Sequence, residues 1–329
     1  MKKNKKIDSI KKVDYQKQED VLDFIDFLYG FFTSEFNLSS SIFPYGIKID
    51  EVKGPKQNEP AFNFQELAKT YNYAGRDLKD TNDLLYGWSQ DIDKFIFKKY
   101  PTKKENPCCS SIFEIEKIRQ EQEVAKVCSK VLSWGGVQTG AFDFLNLLAE
   151  SKLIEHLKKS KTYFDSDIED LESFQKETDD KMNASWSKVY SLTCDIPFVI
   201  FDSRVSAALQ FLAGIFLIKK GFKEIPSCLQ FPALESRTDR PRLFECSNFK
   251  FSKLAYDKPK QHAIWNLRAN WIIEAVLGKM SKFCDYNQSN NKQKFCFARS
   301  IEAGLFRLGY DLKNLKEQLN DDLKRDMNT

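Results

Sequence analysis

The sequence predicts a mainly α-helical protein, and three observations carry that prediction. Apolar residues recur near every 3.6 positions in most of the long runs. Aromatics are abundant, with 28 Phe and 5 Trp, which favours a packed core over disorder. Prolines number only 10 in 329 residues, so few helices are interrupted.

The elements follow in order. "QEDVLDFIDFLYGFFTSE" (18–35) has helical spacing. Residues 40–62 break it with Pro, Gly and short alternation, the texture of a loop with a short strand pair. Residues 63–100 return to a helical pattern. "PTKKENPCC" (101–109) is the best boundary, with two prolines and a charge cluster, and divides the chain into 1–105 and 106–329. Residues 111–136 read as one amphipathic helix that the pair Gly135-Gly136 stops, one of them in a left-handed conformation. Residues 141–160 and 166–180 read as two more helices, the second acidic and solvated. A short helix over Lys188 to Cys194 follows. Asp202 opens another that runs to about Lys220 and ends at Gly221. Residues 221–248 are irregular, with three prolines. Residues 258–280 form a strong helix, 285–294 a polar loop, and one or two helices finish the chain.

Composition narrows the function classes. The net charge of +4 permits a nucleic-acid partner without requiring one. No apolar run approaches the roughly 18 residues of a membrane span. The basic start "MKKNKKIDSIKK" has no apolar run after it and does not read as a secretory signal. The eight cysteines show no C-x-x-C pair, so reduced thiols and a cytoplasmic location are expected. With only His156 and His262 available, no metal site and no cofactor are expected.

The chemistry-bearing stretch is "MNASWSKVYSLTCDIPFVIFDSRVSAAL" (182–209), which sets Lys188 and Asp202 at two closely joined element starts. Asp202 is a favoured N-cap, because its carboxylate accepts the unpaired amides of the first turn. The cap alone accounts for it, or the helix dipole holds an anion ready to steady a cation. Lys188 lies among Trp186 and Tyr190. Pointing outward, it snorkels to solvent. Pointing inward, it loses hydration, its pKa falls, and its neutral amine becomes a nucleophile.

These residues carry a resemblance. Trp134-Gly135-Gly136, Ser187-Lys188 with Asp202-Ser203-Arg204-Val205, and "NLRANW" (266–271), in that order, resemble the helix-hairpin-helix DNA glycosylase superfamily, specifically bacterial proteins with an 8-oxoguanine DNA glycosylase-like fold. The likeness covers about residues 111 to 280. It implies a two-subdomain helical fold, here with an N-terminal extension, and an active site in the cleft between subdomains. It further implies that Lys188 attacks the deoxyribose C1′ of a flipped nucleotide in double-stranded DNA, with Asp202 assisting.

The family's Gly-x-Gly turn before the lysine is replaced here by "MNASWSK". Asn183, Ser185 and Ser187 either donate to DNA phosphate in its place or cap the helix. Arg204 and Arg268 are further DNA-contact candidates, and Trp134 and Trp186 are candidates for the base pocket or for the core. A monomeric DNA N-glycosylase is expected, acting in repair or against phage DNA with modified bases, with or without accompanying AP lyase activity. The alternative is a catalytically silent DNA-binding module on the same fold.

Overall fold

The computed structural model describes residues 10–33, 64–69, 71–97, 110–136, 139–150, 152–169, 174, 181–195, 198–234, 243–246, 249–255, 257–280, 289–310 and 312. These residues are mainly helical, as the apolar spacing predicts. The expected loop at 40–62 and the boundary at 101–109 lie outside them.

The first elements are α1 (Lys12–Gln16), α2 (Glu19–Thr33) and α3 (Phe64–Lys69). A two-stranded hairpin follows, β1 (Asn72–Tyr73) with β2 (Arg76–Asp77), and then α4 (Leu78–Ile96). The helical texture of 63–100 therefore divides around a tight turn. Ala74 and Gly75 both take positive φ, 52° and 78°, as a two-residue hairpin turn of the I′ kind requires. Asp77 then caps α4, accepting the Asp80 amide at 2.8 Å.

α5 (Ser110–Trp134) stops at the glycine pair, with Gly136 at φ 63°. The run 141–160, expected as one helix, is two: α6 (Thr139–Ala149) and α7 (Leu153–Phe164). Glu121 of α5 explains the break, because its carboxylate accepts the Ile154 amide at 2.9 Å and so supplies a cap for α7. The expected acidic helix at 166–180 is not helical at 166–169 or at 174. Ile168 forms a β-bridge with Lys11, and Asp167 accepts the Lys12 amide at 2.7 Å, so that backbone pairs with the start of α1 instead.

α8 (Trp186–Tyr190) begins two residues earlier than the sequence predicts. α9 (Ser203–Lys219) is buried without interruption from Val205 to Leu217. A helix apolar on all sides is a central element, and α9 is packed by α2 and α11. The few polar groups inside it are satisfied. Ser206 donates to the Pro232 carbonyl, and Gln210 accepts the Phe244 amide at 3.1 Å. After α9 come a 3₁₀ turn (Ser227–Leu229) and four short strands: β3 (Ala233–Leu234), β4 (Glu245–Cys246), β5 (Phe249–Lys250) and β6 (Lys253–Leu254). β3 pairs parallel with β6 and β4 antiparallel with β5.

α10 (Pro259–Met280) and α11 (Asn291–Leu308) complete the described elements. A capping box between Asn290 and Gln293 starts α11. α10 lies against α2, and α11 against α3 and α9. One continuous apolar core runs from Tyr15 and Phe24 through Trp186 and Leu212 to Leu312, so it draws on both sides of residue 105. Among the described residues, no helix is long and apolar enough to cross a membrane.

Candidate active site

The site is built around a short non-helical piece of chain, 198–201, that leads into α9. All four residues are buried, and among the described residues no sheet ladder satisfies their peptide groups. Side chains do so instead. Asn270 of α10 accepts the Val199 amide, while Asn266, one turn away, donates to the Val199 carbonyl at 3.3 Å. Glu302 of α11 accepts the Ile200 amide, and Arg299 donates to the Phe198 carbonyl. His262 meets the Phe201 carbonyl at 2.9 Å. A buried peptide group left unpaired costs about 1–3 kcal/mol, so this clamp fixes the segment firmly.

The clamp sets the position of Asp202. Asp202 is the N-cap of α9, and its Oδ1 accepts the amides of Arg204 at 2.9 Å and Val205 at 3.0 Å. Both bonds fall on one oxygen. The residue is half-buried, and its carboxylate sits at the positive end of the helix dipole.

Lys188 comes from α8. Asn183 organises that helix start by accepting the Ser185 and Trp186 amides at 2.9 and 3.0 Å. The Lys188 Nζ donates to the Ala184 carbonyl at 2.9 Å, which turns the stem back along its own helix. Part of the side chain reaches solvent, yet the atoms around the amine are dense. Burial pulls the amine below the ordinary lysine value. Asp202 and Glu302 pull it back up, and Arg204 adds to the fall. Asp202 thus acts on Lys188 through space, without a direct hydrogen bond.

The glycine pair explains how the lysine fits. A Cβ on Gly135 would lie 2.4 Å from the Lys188 Cδ, so the stem crosses α5 where a side chain is missing. Arg204, two residues into α9, lays its guanidinium over the rings of Phe306, 4.1 Å from the centroid, and Tyr310, 4.8 Å.

Two further groups share this surrounding. Burial pushes the Glu302 carboxyl up to about 7, against the pull of Arg299, whose Nη1 lies 2.8 Å from it. Burial also lowers His262 to about 4. The ring is therefore neutral near pH 7 and donates its Nε2 hydrogen to the Phe201 carbonyl.

The structure thus brings together Lys188, Asp202, Arg204 and, beside Gly135, Trp134. The other candidates from the sequence sit elsewhere or are engaged within the fold. Ser187 is wholly buried, and its hydroxyl donates to the Ala184 carbonyl at 3.0 Å. Asn183 spends its carbonyl oxygen on capping, while Ser185 remains half-buried. Trp186 is wholly buried in an aromatic cluster with Phe144, His156 and Tyr190. Arg268 forms a two-pronged pair with Glu169, at 2.7 and 3.1 Å, and stacks on Tyr15 and Trp265.

Sequence reasoning misses Glu302, Arg299, His262, Asn266, Asn270 and the hairpin residue Tyr73. The signal for the asparagines was present: two of them four apart on an otherwise apolar helix face must each bond to something buried. Among the described residues, no group of three or more His, Cys, Asp or Glu is placed to hold a metal ion. Comparison with protein-family models, with curated proteins and with solved structures returned no match.

Proposed function

We propose that this chain is a DNA glycosylase in which Lys188 is the nucleophile and Asp202 the assisting carboxylate. One observation carries the proposal: a buried lysine amine lies within electrostatic reach of an aspartate that caps a helix, where α5, α8 and α9 meet. In the proposed step the neutral Lys188 Nζ forms a bond to C1′ of a flipped nucleotide. The N-glycosidic bond breaks and its electron pair leaves with the base, which takes up a proton. Asp202 steadies the positive charge that builds on the sugar, and the N-cap keeps its charge directed there. Ring opening of the aminal gives a Schiff base that either hydrolyses or permits strand cleavage.

The scaffold in this reading is a helix-hairpin-helix glycosylase fold with an N-terminal extension, acting as a cytoplasmic monomer on double-stranded DNA. The substrate base is a damaged purine in repair or a modified base of phage DNA in defence. Excision assays on a panel of singly modified duplexes test the proposal. Release of free base from at least one duplex is the expected result; no release from any, by protein that binds the duplexes, counts against it.

A second reading is a catalytically silent DNA-binding module. The bond from Lys188 to the Ala184 carbonyl favours it, because that bond already gives the amine a structural partner.

A further inference from the structure

The N-terminal β1–β2 hairpin reaches the Lys188–Asp202 site. Tyr73, the last residue of β1, packs edge-on against Trp134 at 5.3 Å and against Phe306 at 5.6 Å. Its hydroxyl lies 3.2 Å from where a Cβ on Gly136 would stand, so the second glycine makes room for Tyr73 as the first does for Lys188. Arg204 and Asp202 both act electrostatically on that hydroxyl. The hydroxyl bonds to no described residue. Tyr73 is half-buried, whereas the Trp134 indole Nε1 is buried without a partner among the described residues. Buried polar groups are normally paired, so the unpaired Trp134 Nε1, with the hydroxyl of half-buried Tyr73 on the adjoining ring, offers a ligand two polar contacts beside Lys188. Residues with both an apolar face and a polar tip suit a planar heterocycle, which offers a π-face and edge acceptors.

We infer that Tyr73, with Trp134, forms the wall that receives the flipped base, so that the N-terminal extension completes the substrate site. The inference rests on the glycosylase reading and deepens it by assigning the base contact to the hairpin. It follows that Tyr73 matters more for substrates that carry a base than for those that lack one. Base–aromatic contacts of this kind change affinity about 5- to 100-fold on truncation.

The test uses the full chain, as wild type, Tyr73→Phe and Tyr73→Ala, with thermal unfolding to establish that each is folded. Each is given two duplexes: one with a single abasic site plus borohydride, and one with the modified base that the wild type excises. The expected result for Tyr73→Ala is excision slowed at least 5-fold, with adduct formation on the abasic duplex slowed by a distinctly smaller factor. Tyr73→Phe, which keeps the ring and its packing, should be intermediate. Wild-type excision by a folded Tyr73→Ala overturns the inference and leaves the glycosylase reading intact. Equal loss on both duplexes overturns it too, because Tyr73 would then serve the lysine and not the base. Absence of both adduct and excision in the wild type itself removes the glycosylase reading and this inference with it.

Discussion

The Lys188 stem crosses Gly135 at a distance that leaves no room for a methyl group: a Cβ there would lie 2.4 Å from Cδ and 2.7 Å from Cε. The contact falls on the middle of the stem, so the lysine cannot yield by swinging its tip alone. Gly135→Ala should displace the amine while disturbing the helix end only modestly, at about 1–3 kcal/mol of overpacking. We expect formation of a lysine–DNA adduct to fall at least tenfold while the variant still melts cooperatively. An adduct at the wild-type rate would show that the close crossing does not position the amine.

Asp202→Asn separates capping from charge. The bonds to Arg204 and Val205 use an oxygen that asparagine also has, and asparagine caps about as well as aspartate. Stability should change by less than about 1 kcal/mol, while base release falls by about 10²-fold or more. Unchanged turnover would reduce Asp202 to a cap.

His262 ties stability to pH. Its folded value of about 4 lies below the ordinary 6.5, so the unfolded chain binds the proton more readily between those values. Its contribution is complete above about pH 6.5 and declines as pH falls towards 4, by on the order of 3 kcal/mol. Glu302 has the opposite sign. Raised to about 7, it stabilises the folded state at low pH and loses that contribution as pH rises from the ordinary carboxylate value through 7. The two slopes oppose each other, so the wild type alone reads out little. Urea titrations of wild type and His262→Gln across this range isolate the histidine: the variant should gain on the wild type as pH falls. A constant difference between them would contradict a neutral, buried His262.

Asn270→Ala removes the acceptor of the Val199 amide and the donor to the Asn266 carbonyl, which lies 2.7 Å away. The buried amide is left unpaired and a cavity opens. A loss of about 2–4 kcal/mol in denaturant unfolding is expected. A loss below about 0.5 kcal/mol would mean that the 198–201 segment is held by other means.

The helical class and the α9 start were legible in the sequence because both depend on local signals. Apolar spacing fixes the helix, and an aspartate followed by "SRV" fixes its cap. The glycine pair was legible as a helix stop, and Gly136 at φ 63° fills that role. Its second role was not, because the fit of Gly135 to the Lys188 stem joins residues 53 positions apart. The break between α6 and α7 was hidden for the same reason, since the cap comes from Glu121 on another helix. Asn183 and Ser187 had two readings, phosphate contact or capping, and local sequence gives both the same pattern. Arg268 and Trp186 showed suitable chemistry, but only tertiary packing places Glu169 on one and an aromatic cluster around the other. Tyr73 carried no signal at all, because the hairpin that presents it lies in a run with helical texture.

The central claim is that the Lys188 amine attacks the sugar, and borohydride trapping tests it most directly. Incubation with a duplex bearing one abasic site, followed by reduction and digestion, should yield one cross-linked peptide, the one that contains Lys188. Lys188→Ala and Lys188→Gln should melt cooperatively, bind the same duplex in a salt-dependent manner, and trap nothing. Trapping by both variants at the wild-type rate, or a cross-link mapped to another residue, would contradict the account.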